Sequence, residues 1–181
     1  MESIVRLPSS KDIKKRIIDA IVALYRYDHE LIDKNANERS ITHKLAEHLQ
    51  KEFPYWHVDC EYNRFGSKPK RIHQISNGAP ATDPEAIEAV TVFPDIIVHR
   101  RGTNQNLLVI EVKKTGEDTE WDRKKLEAFI QDQDYCYKYG LLLILAGNGG
   151  PKLLLYCDGQ EIEQWTEEMR SALRSFGYAP E

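Results

Sequence analysis

The feature that most constrains this chain is a run near its middle, Leu107-Leu108-Val109-Ile110-Glu111-Val112-Lys113, apolar on both faces until its last residues. Successive side chains of a strand point to opposite faces, so a strand apolar on both has to be covered on both. The run therefore belongs at the centre of a sheet with a layer on each side. An equally apolar run at 141–146 asks for the same surroundings.

Helical periodicity on either side supplies the covering layers. Ile13, Ile17, Ile21, Leu24 and Leu31 recur at helical spacing and predict one amphipathic helix over about 11–33. Asn37 is a candidate N-cap for a second helix over 38–53, striped by Ile41, Leu45 and Leu49 and closed by Pro54. Residues 56–62 read as a strand. The stretch 65–89, with Gly66, Pro69, Gly78, Pro80 and Pro84, reads as a long irregular loop holding a short helix from Asp83-Pro84. Residues 93–99 and 107–113 flank a turn-rich connection and predict an antiparallel hairpin. A helix over 121–139 carries Leu126, Phe129 and Ile130 on one side and ends at Gly140. A strand at 141–146, a turn at 148–150, a strand at 152–157 and a helix over 160–176 complete the chain. That order predicts an α/β domain, a mixed central sheet with helices on both faces, spanning 1–181 as one unit.

Composition removes whole classes of function. Of 181 residues, 41% are hydrophobic and 30% charged, which suits one buried core rather than a disordered chain. No apolar run is long enough to cross a bilayer, and no signal peptide is legible. Three scattered cysteines, Cys60, Cys136 and Cys157, fit no disulfide framework, so the expected location is the cytoplasm. The net charge of −4 gives no overall attraction to polyanions, but positive charge is clustered. His57 and Cys60 have no second pair to complete a zinc site, and no Gly-x-Ser-x-Gly elbow exists. Gly147-Asn148-Gly149-Gly150 leads to a strand rather than to a phosphate-binding helix N-terminus.

The strongest chemical signal is Pro94-Asp95 at the start of one hairpin strand and Glu111-Val112-Lys113 at the end of the other. Glu111 and Lys113 share a face, and the hairpin can set Asp95 beside Glu111. Two facing carboxylates repel unless a positive group lies between them, and a hard divalent cation with oxygen ligands suits that place. Lys113 can orient water or neutralise charge developing on a phosphate. Glu38 lies on or beside an apolar stripe. Two readings stay open for it, a metal-assisting ligand and a carboxylate favoured by the helix dipole.

In these residues the chain resembles the PD-(D/E)xK nuclease superfamily, the restriction-endonuclease-like fold. The likeness covers about 38–146 in the order helix, three strands, helix, strand. It leaves an extra N-terminal helix and a C-terminal strand-helix extension. It implies a Mg²⁺- or Mn²⁺-dependent deoxyribonuclease with Asp95, Glu111, the Val112 carbonyl and Glu38 at the metal and Lys113 at the attacking water. DNA is the expected partner and no membrane is. Many relatives act as homodimers, and no dimer surface is legible here. Arg64, Lys68, Lys70, Arg71, Arg100 and Arg101 are the expected backbone contacts, with Lys114 and Lys124 as further candidates. Lys125 shares the helix of Lys124, and solvated surface is the default for both. Gln131 and Tyr135 match a Gln-x-x-x-Tyr spacing found in the helicase-associated branch, where packing of Tyr135, Tyr137 and Tyr139 is the plainer reading. The alternative function is a catalytically inactive nucleic-acid-binding or protein-interaction module on the same fold. An enzyme acting on a non-DNA phosphate is a third.

Overall fold

The computed structural model describes residues 7–62, 64–65, 68–69, 71–73, 89–91, 93–132, 135–147, 150–157 and 160–177. The chain enters helix α1 (Ser10–Tyr27) through a reciprocal cap between Ser9 and Asp12, and α1 buries Ile13, Ile17, Ile21 and Leu24. The single helix expected over 11–33 is broken. Asp28 leaves helical geometry, its carboxylate meets His48 Nε2 at 2.7 Å, and a short α2 (His29–Asp33) follows. Asp28 is also the position at which the apolar stripe skips a turn between Leu24 and Leu31.

Asn37 caps α3 (Glu38–Glu52), its side chain accepting from the Ser40 N–H at 2.8 Å. Strand β1 (His57–Cys60) leads into four short strands: β2 (Arg64–Phe65), β3 (Lys68–Pro69), β4 (Arg71–His73) and β5 (Ala89–Thr91). They form two separate antiparallel pairs, so the stretch expected to be irregular carries local ladders. Ile72 opposite Val90 supplies residue types that favour extended backbone. The short helix expected from Asp83-Pro84 lies outside the described residues.

The remaining elements are β6 (Ile96–His99), β7 (Asn106–Lys114), α4 (Glu120–Gln131), β8 (Tyr139–Leu145), β9 (Lys152–Cys157), β10 (Gln160–Glu161) and α5 (Glu163–Ser175). Six strands form one open sheet in the order β1-β6-β7-β8-β9-β10. Among the described residues only the β7–β8 pair is parallel, with α4 as its crossover, so the sheet is mixed.

Alternation along β7 sorts the core into two layers. Leu108, Ile110 and Val112 pack in the layer of α1, α3 and α5, while Val109 packs with Leu126, Phe129 and Ile130 of α4. Each fully buried aliphatic side chain of this kind stabilises the fold by about 1.5–3 kcal/mol.

Helix α4 ends at Gln131 rather than near 139. Asp132 turns extended and its Oδ1 accepts from the Tyr135 N–H at 3.2 Å. Tyr135 and Tyr137 then fold under Phe129, with ring centroids 5.9 and 6.0 Å away. Gly140 does not end a helix but lies in β8. A Cβ there would stand 2.7 Å from Ile130 Cδ1, so glycine allows α4 to lie close on the sheet.

Candidate metal and phosphate site

The hairpin register pairs Ile96 with Ile110, and the next step outward sets Asp95 beside Glu111. Asp95 is not itself paired as a strand residue. Its side chain takes that part: Oδ2 accepts the Val112 N–H at 2.7 Å. The carboxylate is thereby fixed to the end of the central strand.

Glu111 and Lys113 point to the α4 side of β7, as parity requires. Glu111 is fully buried, and its Oε2 receives Lys125 Nζ from α4 at 2.5 Å. Its other oxygen, Oε1, is buried with no hydrogen-bond partner. Lys113 Nζ lies 3.3 Å from Glu38 Oε1 and 3.8 Å from Asp122 Oδ2. Lys125 Nζ is also 3.2 Å from Asp122 Oδ1. Asp122 therefore holds one lysine on each of its two oxygens.

Glu38 opens the first turn of α3, and a surface groove between α3 and the end of β1 is lined by Glu38, Cys60 and Asp95. The cluster is reached from solvent on that side.

Burial sets the protonation tendencies. Glu111 is pushed well above the usual carboxylate range by burial and by Asp95, and Lys125 offsets only part of this. Asp95 is raised by burial despite the Val112 N–H, and Glu38 is raised by burial against the pull of Lys113. For Lys113 and Lys125 burial alone would lower the value, but the surrounding carboxylates outweigh it and both are raised. Both lysines are thus firmly cationic.

Four carboxylates, Glu38, Asp95, Glu111 and Asp122, face two ammonium groups. The orphaned Glu111 Oε1 is a hard oxygen acceptor of the kind Mg²⁺ or Mn²⁺ takes. Among the described residues no group of three or more His, Cys, Asp or Glu side chains is assembled as a ready-made metal cage. Mg²⁺ asks for less, since one or two carboxylates with waters and phosphate oxygens suffice. The residues present fit the ion.

The other expected contacts are scattered. Arg101 holds Asp59 through its Nε at 2.8 Å, and Asp59 in turn meets His99 Nε2 at 2.8 Å. Strand β6 lies between Asp95 and Arg101, so the hairpin tip and the carboxylates occupy opposite ends of that strand. Arg100 stacks its guanidinium 5.1 Å over the Trp56 ring at that same far end. Lys114 donates to Asn35 Oδ1 at 2.9 Å, and Lys124 meets Glu120 on exposed helix surface. Lys70 and the side chains of Arg64, Lys68 and Arg71 lie outside the described residues.

Two members of the cluster were missed from sequence. Solvated surface is the default for a lysine on such a helix, yet the Lys125 side chain is only 13% exposed. Asp122 was not singled out, although it continues the Leu126–Phe129 stripe one turn toward the helix start, a signal of the kind that marked Glu38.

No family model, curated protein or solved structure matches this chain. What the chain does has to be argued from the site itself.

Proposed function

We propose that the chain is a divalent-metal-dependent nuclease-like phosphodiesterase of the restriction-endonuclease-like fold, acting on DNA. The observation that carries the reading is the fully buried Glu111, with one oxygen unpartnered, beside an Asp95 locked to the Val112 N–H. Leaving aside the short strands β2 to β5 inserted between β1 and β6, the elements α3, β1, β6, β7, α4 and β8 follow in the order helix, three strands, helix, strand, which supports the fold assignment.

Asp95, Glu111 and the Val112 carbonyl would hold the ion, with Glu38 assisting from α3. When bound, such an ion activates water and stabilises charge on a phosphate undergoing in-line displacement. The chain's own groups do the rest. The Val112 N–H fixes Asp95 in one orientation, Glu38 and Asp122 aim the Lys113 ammonium, and Lys113 orients water and meets negative charge on the phosphate.

One observation favours the second reading, a catalytically inactive nucleic-acid-binding or interaction module. Lys125 occupies one oxygen of Glu111 with a cation supplied by the chain itself. The test is incubation of the wild-type chain with Mg²⁺ or Mn²⁺ on linear, supercoiled, branched and single-stranded DNA and on RNA. Cleavage of DNA that requires the ion is expected. Tight DNA binding with every substrate intact would sink the enzyme and leave the module.

A further inference from the structure

Lys125 is placed as a cation shared between two buried carboxylates. Its ammonium lies 2.5 Å from Glu111 Oε2 and 3.2 Å from Asp122 Oδ1, on a side chain almost closed to solvent. Asp122 is itself buried and carries the Lys113 ammonium on its other oxygen at 3.8 Å. Once Glu111 is ionised, as a metal-ligating carboxylate must be, removing its positive partner is costly, so a cation has to stay beside that carboxylate. A metal ion arriving at Asp95 and Glu111 would face an ammonium at close range, and like charges repel strongly where water is excluded. Asp122 offers that ammonium a second carboxylate already within reach. The unpartnered Glu111 Oε1 gives an arriving ion an oxygen to take before the ammonium leaves Oε2.

We propose that Lys125 is a displaceable resident cation of the site, which holds Glu111 in the metal-free protein and passes to Asp122 when a divalent ion binds. The inference rests on the metal-site reading above and adds to it a positioning residue, Asp122, which receives the displaced ammonium. It also resolves the observation that favours an inactive module, since a lysine that yields to metal does not disable the site.

Calorimetric titration of the full chain with Mn²⁺ at one fixed near-neutral pH tests the exchange. Lys125→Met deletes the competitor and should tighten Mn²⁺ binding by at least about tenfold. Asp122→Asn removes the receiving carboxylate and should weaken binding by roughly tenfold. Should Lys125→Met fail to fold, Lys125→Gln carries the same expectation while keeping a donor for Glu111 Oε2. The rise in thermal midpoint on adding Mn²⁺ gives a second readout and should be larger in the Lys125 variant than in wild type. Wild-type binding that depends on Asp95 but does not tighten without Lys125 overturns the exchange and leaves the metal site standing. No Mn²⁺ binding by wild type or by either Lys125 variant withdraws the exchange together with the metal site.

Discussion

The Asp95 carboxylate accepts the backbone N–H of Val112 at 2.7 Å, so a side chain closes the hairpin where the strand ladder stops. Val112 is fully buried, and its N–H would otherwise lack a partner in the interior. The same contact ties a candidate metal ligand to the strand that carries Glu111 and Lys113. Structure and chemistry meet in that bond, and substitutions can separate them.

Asp95→Asn keeps an oxygen acceptor for Val112 but loses the charge. Divalent-ion binding by calorimetry should vanish while stability changes little. Asp95→Ala should lose ion binding as well and destabilise the fold by about 1–3 kcal/mol, because a buried N–H is left unsatisfied. Chemical denaturation of both variants checks the difference. Ion binding by either at wild-type strength would remove Asp95 from the site.

Lys113→Met keeps the aliphatic stem and deletes the ammonium held between Glu38 and Asp122. DNA cleavage should fall by roughly 10²-fold or more, the scale for losing a charge partner of the transition state. Metal-dependent DNA binding should persist in a gel-shift assay. Cleavage within a few-fold of wild type would show that Lys113 stays away from the reacting phosphate.

Glu38→Gln decides between the two readings of that residue. As a ligand, its loss should weaken Mn²⁺ affinity and leave the thermal stability of the metal-free protein nearly unchanged. As a dipole partner, it should cost a few tenths to about 1 kcal/mol of stability with affinity untouched. The Lys113 contact at 3.3 Å and the groove shared with Asp95 favour the first outcome.

Glu111 makes a pH prediction whose sign is fixed by burial. Its folded value is raised above the ordinary one, so the folded chain holds a proton that the unfolded chain has released. The associated stability is present below the unfolded carboxylate range and is lost as pH rises through the folded value. Metal-free protein should therefore lose stability between mildly acidic and neutral pH. Glu111→Gln should flatten that slope and raise stability at neutral pH. Denaturant midpoints across the pH range are the measurement. A wild-type slope that survives in Glu111→Gln would assign the effect to another group.

Much of the central architecture was legible because its signals are short-range. Two-face apolarity gave β7 its central place, alternation put Glu111 and Lys113 on one side, and the turn at 100–105 made β6 and β7 a hairpin. The errors share a different cause. Apolar spacing carried the first helix past Asp28 and the fourth past Gln131. In both places a carboxylate found a partner, His48 for Asp28 and the Tyr135 N–H for Asp132. Gly140 looked like a helix end because glycine serves there too, and its role beneath Ile130 depends on an element packed across the sheet.

The sequence by itself determined which residues face which layer, since strand parity and helical period are fixed by backbone geometry. It therefore determined that Asp95, Glu111 and Lys113 gather at one end of the central hairpin. It could not determine which charges answer them. Asp122 and Lys125 arrive from α4 only once the β7–α4–β8 crossover lays that helix over the face holding Glu111. Whether a lysine is solvated or buried beside a carboxylate depends on the water excluded around it, and packing elements that are distant in sequence is what excludes that water.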